Sequence, residues 1–171
     1  MGNEYFILAV RIPRDTRLLE QATEIAAQAV REMDGKASVN IREVHVLDAA
    51  SALTEAKRRG MTLDLIIFTI SQLTQDVRQM IVNIHGNDPL VPIFAITDGI
   101  ENKYLKESLK VKAFGRIYLT TLSRELKKEI KASVDYARKR RVRLESEKSD
   151  VAKKLGSPSN DTQIGKRKLR L

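Results

Sequence analysis

Five times along this chain a short apolar run gives way to a segment whose apolar residues recur at helical spacing, and that alternation constrains the fold more than any other feature. YFILAV (Tyr5 to Val10), DLIIFTIS (Asp64 to Ser71) and VPIFAIT (Val91 to Thr97) are almost continuously apolar, the pattern of strands covered on both faces. Ser38 to Val46 alternates through Val39, Ile41, Val44 and Val46, and Arg116 to Leu119 makes a short fifth strand. Between them lie a helix capped by Asp15 or Thr16 and carrying Leu18, Leu19, Ala22, Ile25, Ala26, Ala29 and Met33, and a shorter one with Ala52, Leu53 and Ala56 that stops at Gly60. A third, begun at Thr74 or Asp76, carries Val77, Met80, Ile81 and Ile84 and is closed by His85-Gly86-Asn87-Asp88-Pro89. The span Glu101 to Lys110 is a fourth, weakly patterned helix, and Ser123 is placed to cap a last one built on Leu126, Ile130 and Val134.

Parallel strands need a crossover long enough to hold a helix, and that crossover is right-handed. The expected architecture is therefore α/β: a doubly wound, five-stranded parallel sheet of the flavodoxin-like kind, with helices on both faces. The last helix runs without Gly or Pro from Ser123 to about Lys154, longer than a small sheet can cover at about 1.5 Å per residue. The chain is accordingly divided into a domain over 1–136, a projecting basic helix over 137–155 and a disordered basic tail over 156–171. There is no internal repeat.

Charge follows the same division. The net charge is +9, but Arg138 to Leu171 holds 12 Lys and Arg against 4 Asp and Glu, whereas Met1 to Ala137 holds 19 against 18. An electrostatic partner is thus to be sought at the C-terminal end. Arg138, Lys139, Arg140, Arg141 and Arg143 are placed there to contact a partner or to neutralise phosphates. A solvated helical face is the plainer reading of the same residues. Stacking aromatics and a groove-reading module are missing, which argues against sequence-specific recognition of nucleic acid. Coiled-coil pairing through Val134, Tyr136, Val142 and Leu144 lacks sustained apolar heptads.

Several chemistries are excluded by composition. The chain has no cysteine and only two histidines, which removes disulfides, thiol nucleophiles and cysteine metal sites and fits a reducing compartment. No segment approaches the roughly 18 apolar residues of a membrane span, so a cytoplasmic protein without membrane partners is expected. His85, beside Gly86 at a helix end, is expected to cap carbonyls, and His45 to point outward from its strand. Asp98, before Gly99, reads as a turn residue, and Asp64 stands alone at the wrong strand edge for acid/base work. No catalytic residue, metal site or cofactor is assigned.

Ligand crevices in open parallel sheets lie at the carboxyl ends of the strands. DLIIFTIS, VPIFAIT and GRIYLTT are spaced and composed like strands three, four and five of a response-regulator receiver domain, and the span Glu4 to Tyr136 resembles one. The resemblance puts Thr69 at the phosphoacceptor position, Thr97 at the switch hydroxyl, Tyr118 at the switch aromatic and Thr121 at the lysine position. Val10-Arg11-Ile12-Pro13 stands where an acidic pair is expected. A hydroxyl without a neighbouring base neither holds a hard divalent cation nor forms an acyl phosphate. The resemblance therefore implies a pseudo-receiver, a non-enzymatic regulatory or protein-interaction module that binds a protein partner through Thr97, Tyr118 and the surface of Glu101 to Lys110, a homodimer through the fourth and fifth elements included.

A second resemblance covers VRQMIVNIHGNDPLVPIFAITDGIE and FGRIYLTTLSRELKKEIKASVDYARKR. Both are similar to the N-terminal wing domain of bacterial ornithine/lysine/arginine decarboxylases, which implies an oligomer-assembly role. Nucleic-acid association through the basic C-terminal helix and tail is the third reading.

Overall fold

The computed structural model describes residues 2–12, 16–98 and 117–156. Five strands form one sheet: β1 (Glu4–Arg11), β2 (Ser38–His45), β3 (Leu65–Thr69), β4 (Ile93–Thr97) and β5 (Ile117–Thr121). Their order is β2-β1-β3-β4-β5, and every pairing is parallel, with Glu4 opposite Ser38, Ile7 opposite Leu65, Ile66 opposite Ile93 and Phe94 opposite Tyr118. Four α-helices are described: α1 (Thr16–Met33), α2 (Ala49–Arg58), α3 (Gln75–Asn87) and α4 (Leu126–Leu155). The topology is the flavodoxin-like one that the alternation implies.

The three continuous apolar strands are continuous because each side chain in turn meets a different helical layer. Ile66, Phe68 and Ile70 pack with α2 and α3. Leu65 and Ile67 point the other way, among Ala22, Ala26 and Val30 of α1 and Ile130 and Val134 of α4. All five residues of β3 and all five of β4 are buried. At roughly 25 cal/mol per Å² of apolar surface removed from water, this double-sided burial is the main term holding the sheet. α1 carries six buried residues, four of them Ala, so it lies close against the strands.

β2 departs from its alternating pattern. Val44 is buried and Val39 packs on the α1 side, but Ile41 is 43% exposed, because β2 is the outer strand and is only partly covered. Val46 belongs to a short 3-10 turn, Val46–Asp48, and His45 serves that turn: its Nδ1 accepts from the Leu47 amide at 3.3 Å. The outward-pointing His45 is thus corrected to a cap. α2 ends as expected at Gly60, whose φ of 69° suits a residue without a Cβ. Thr74 caps α3 by accepting from Val77 N at 3.4 Å.

The last helix starts later than expected. β5 continues to Thr121, so the chain needs a turn before α4 opens at Leu126; Glu125 stands at the cap position without a side-chain bond, and Ser123 contributes its carbonyl to Leu126 N. Asp15, the weak helix over Glu101 to Lys110 and the tail beyond Gly156 fall outside the described residues. Among the described residues no helix is long and apolar enough to cross a membrane.

Candidate functional site

β1, β3, β4 and β5 bring their carboxyl ends to one edge of the sheet, and Thr69, Thr97 and Thr121 are the last residues of β3, β4 and β5. Thr69 is 3% exposed and Thr97 9%; Thr121 is half-buried and lies opposite Thr97 in register. The neighbours at this edge are Arg11, paired with Glu43 of β2 at 3.5 Å, and the exposed Asp98. Among the described residues no group of three or more His, Cys, Asp or Glu side chains converges to hold a metal ion. The edge presents hydroxyls, which donate and accept single hydrogen bonds but carry no charge.

Tyr118 is placed by β5 directly opposite Phe94 of β4, and the rings stack with centroids 4.7 Å apart and an interplanar angle of 17°. Side chains alternate along a strand, so Phe94 and Tyr118 lie on the α1 and α4 face whereas Thr97, three residues after Phe94, lies on the other. The switch-like hydroxyl and aromatic are therefore not brought together. The Glu101 to Lys110 surface, which completes the expected interaction face, is outside the described residues.

The opposite edge of the sheet holds the most elaborate polar cluster among the described residues, and sequence reading misplaced two of its members. Asp64, 2% exposed, stands immediately before β3. Its Oδ2 accepts from Phe6 N at 3.0 Å and from Arg138 Nη2 at 3.0 Å, and its Oδ1 accepts from Arg138 Nε at 2.7 Å. This is a bidentate guanidinium–carboxylate pair, the geometry in which Arg is not replaceable by Lys. The guanidinium also lies 3.5 Å from the centre of the Tyr5 ring and donates to the Glu4 carbonyl. Burial by itself lowers the Arg138 pKa, but the hydrogen bond and charge of Asp64 outweigh it, and the net direction is upward.

One helical turn on, Arg141 Nη2 donates to Leu63 O at 2.9 Å and to Asp88 Oδ2 at 2.8 Å. Arg138 and Arg141 thus clamp α4 to the start of β3 and to the end of α3. Neither is placed to neutralise phosphates, which corrects the expectation for these two residues. Lys139 pairs with Asp135 at 2.7 Å and Arg143 with Glu147 at 3.0 Å, both exposed i,i+4 pairs, whereas Arg140 has no ion pair among the described residues. Ala137 is fully buried, and the contacts of α4 with the body continue through Arg138 and Arg141.

Glu32 of α1 joins α4 as well, bridging Lys127 at 2.7 Å and Lys131. Those two hydrogen bonds hold the exposed Glu32 carboxyl down at about 2. His85 does not cap carbonyls as expected: its Nε2 is buried and finds no partner among the described residues, and burial lowers its pKa against the opposing pull of Asp88. The sequence signal for the clamp was available, since Ile130, Val134, Ala137, Arg138 and Arg141 fall on one helical stripe.

No family model matches the chain, and no curated protein matches it. Solved structures do. The fold is similar to a CheY-like response regulator receiver domain protein from Methanospirillum hungatei JF-1, with a TM-score of 0.50 and 19% identity over 81% of this chain and 98% of that one. It is also similar to the receiver domain of Nitrogen Regulatory Protein C (TM-score 0.45, 15% identity, 80% of this chain and 93% of that one) and to a flavodoxin-like domain from Synechococcus sp. (0.44, 10%, 81% and 99%). The first likeness establishes a receiver-like, flavodoxin-like fold; at this identity it speaks to the fold alone.

Proposed function

We propose that this protein is a non-enzymatic regulatory module, a receiver-like domain that does not undergo aspartyl phosphorylation and acts by binding a protein partner. The observation that carries the reading is Thr69. It closes β3 as a buried, uncharged side chain, at the position where the receiver resemblance requires a carboxylate. Arg11, at the end of β1, adds a cation where magnesium binding needs anions. Recognition is assigned to the β5 side of the sheet, with Tyr118 on the α4 face as its aromatic element and the half-buried Thr121 at its rim, Thr97 lying behind Thr121 on the face opposite Tyr118; a second copy of the chain is one such partner.

The test is direct. Backbone amide spectra recorded with Mg²⁺ and beryllofluoride, and again with acetyl phosphate, are expected to match those of the untreated protein, and mass spectrometry to find no adduct. A saturable shift centred on Thr69 overturns the proposal. Light scattering over a concentration series, compared between the parent and Tyr118→Ala, is expected to show association that the variant weakens. The nucleic-acid alternative retreats to Lys139, Arg140, Arg143 and the tail. It predicts that a chain ending after Leu144 binds DNA more weakly than the full chain across a salt series.

A further inference from the structure

We propose that the amino-end side of the sheet carries a binding site for a small organic carboxylate with an apolar body, seated between α2, α3 and α4 and read by Arg141. A cavity of about 370 Å³ lies there, within the range of small-ligand pockets. Its apolar wall is made by Leu53 and Ala56 of α2 and by Met61 and Leu63 before β3. Its polar wall is Arg141, with Lys57 and Lys148 at the rim.

The guanidinium is the feature that points to a ligand. Arg carries five donors in a rigid fork. Here Nη2 is committed to Leu63 O and Asp88 Oδ2, whereas Nη1 is buried and has no acceptor among the described residues. A buried charged donor left without an acceptor is expensive, and Arg141 lines the cavity, so a carboxylate held against its guanidinium would supply the acceptor that the described residues do not. Charge then selects its kind. Arg141, Lys57 and Lys148 face Asp88 and Glu145 across the cavity, one positive charge in excess, which a monoanion neutralises. An inorganic dianion would leave the Leu53 and Met61 wall against water, whereas a carboxylate on a hydrocarbon body covers it. The site stands at the opposite edge of the sheet from Thr69 and does not depend on what the carboxyl-end crevice does.

The experiment uses the full chain and follows amide shifts at Met61, Thr62, Leu63, Asn87 and Asp88 during titration with hexanoate, hexanol and inorganic phosphate. Hexanoate is expected to give saturable shifts at these residues, and hexanol and phosphate none in the same concentration range. Arg141→Gln is expected to abolish binding. Should that variant fail to fold, Lys57→Gln/Lys148→Gln, which changes two exposed side chains, is expected to weaken hexanoate about tenfold. Absence of a saturable hexanoate shift, equal binding of hexanol, preference for phosphate, or unchanged affinity in the double-lysine variant each overturns the proposal. The beryllofluoride test at Thr69 reads a different edge, so failure of one is told apart from failure of the other.

Discussion

The two edges of the sheet are built from opposite materials. At the carboxyl edge, β3, β4 and β5 end in threonines, neutral groups of which Thr69 and Thr97 are buried and Thr121 half-buried. At the amino edge, Asp64, Arg138, Arg141 and Asp88 form a lattice of charge-assisted bonds linking β1, β3, α3 and α4. Among the described residues the strand ends at the carboxyl edge carry only the Arg11–Glu43 pair and the exposed Asp98 as charges, whereas at the amino edge buried charge fixes a helix. A net charge therefore says little about a partner until each cation's neighbours are known.

The contrast breaks most visibly by truncation. Ending the chain after Tyr136 removes Ala137, Arg138 and Arg141 together and leaves Asp64 buried without its cation; loss of the cooperative unfolding transition is expected in a thermal melt, whereas ending it after Leu144 should move the midpoint by less than about 2 °C. Next in size is Asp64→Ala. Removing one partner of a buried ion pair costs about 3–5 kcal/mol, and the Arg138 side chain keeps 30% of its surface in water, so the lower end, about 3 kcal/mol, is expected in urea denaturation. Thr69→Val at the other edge should cost less than about 1.5 kcal/mol; a cost equal to that of Asp64→Ala would abolish the distinction. Tyr118→Leu loses the Phe94 stack, about 0.5–1.5 kcal/mol beyond its area.

The smallest effects are in pH. Burial holds the His85 pKa below its ordinary value, so the unfolded chain binds the proton more readily. The stability this group contributes is fully present above about pH 6.5 and declines as pH falls through the folded value. Glu32, held at about 2 by Lys127 and Lys131, acts in the same direction lower down: its contribution is present above about pH 4.5 and lost toward pH 2. Denaturation midpoints from pH 8 to 2 are expected to fall in two steps, with His85→Gln removing the upper one and Glu32→Gln the lower.

The central strands were legible because burial on both faces forces an unbroken apolar run, as in Leu65 to Thr69 and Ile93 to Thr97. β2 was legible as a strand but not in its burial, since alternation at Val39 and Ile41 does not reveal whether a helix covers the face. The receiver-like fold followed from three strands and their spacing. The clamp did not follow, because Arg138 and Asp64 lie 74 residues apart and a run of RKRR looks the same whether two of its members turn inward or all face solvent. Helical spacing carried part of the answer, placing Arg138 and Arg141 beside the buried Ala137; only the tertiary partners supplied the rest.

Because α4 is bolted at two guanidinium groups a turn apart, its rotation about its own axis is fixed as well as its height. The residues from Ser149 to Leu155, past the last side chain that borders the body, Lys148, form an arm about 10 Å long, and whatever follows is presented at a set angular phase. Lengthening the arm by one residue would swing that attachment through about 100° while moving it outward by only about 1.5 Å. The helix is in this sense a pointer, and its bearing is set at Asp64 and Asp88.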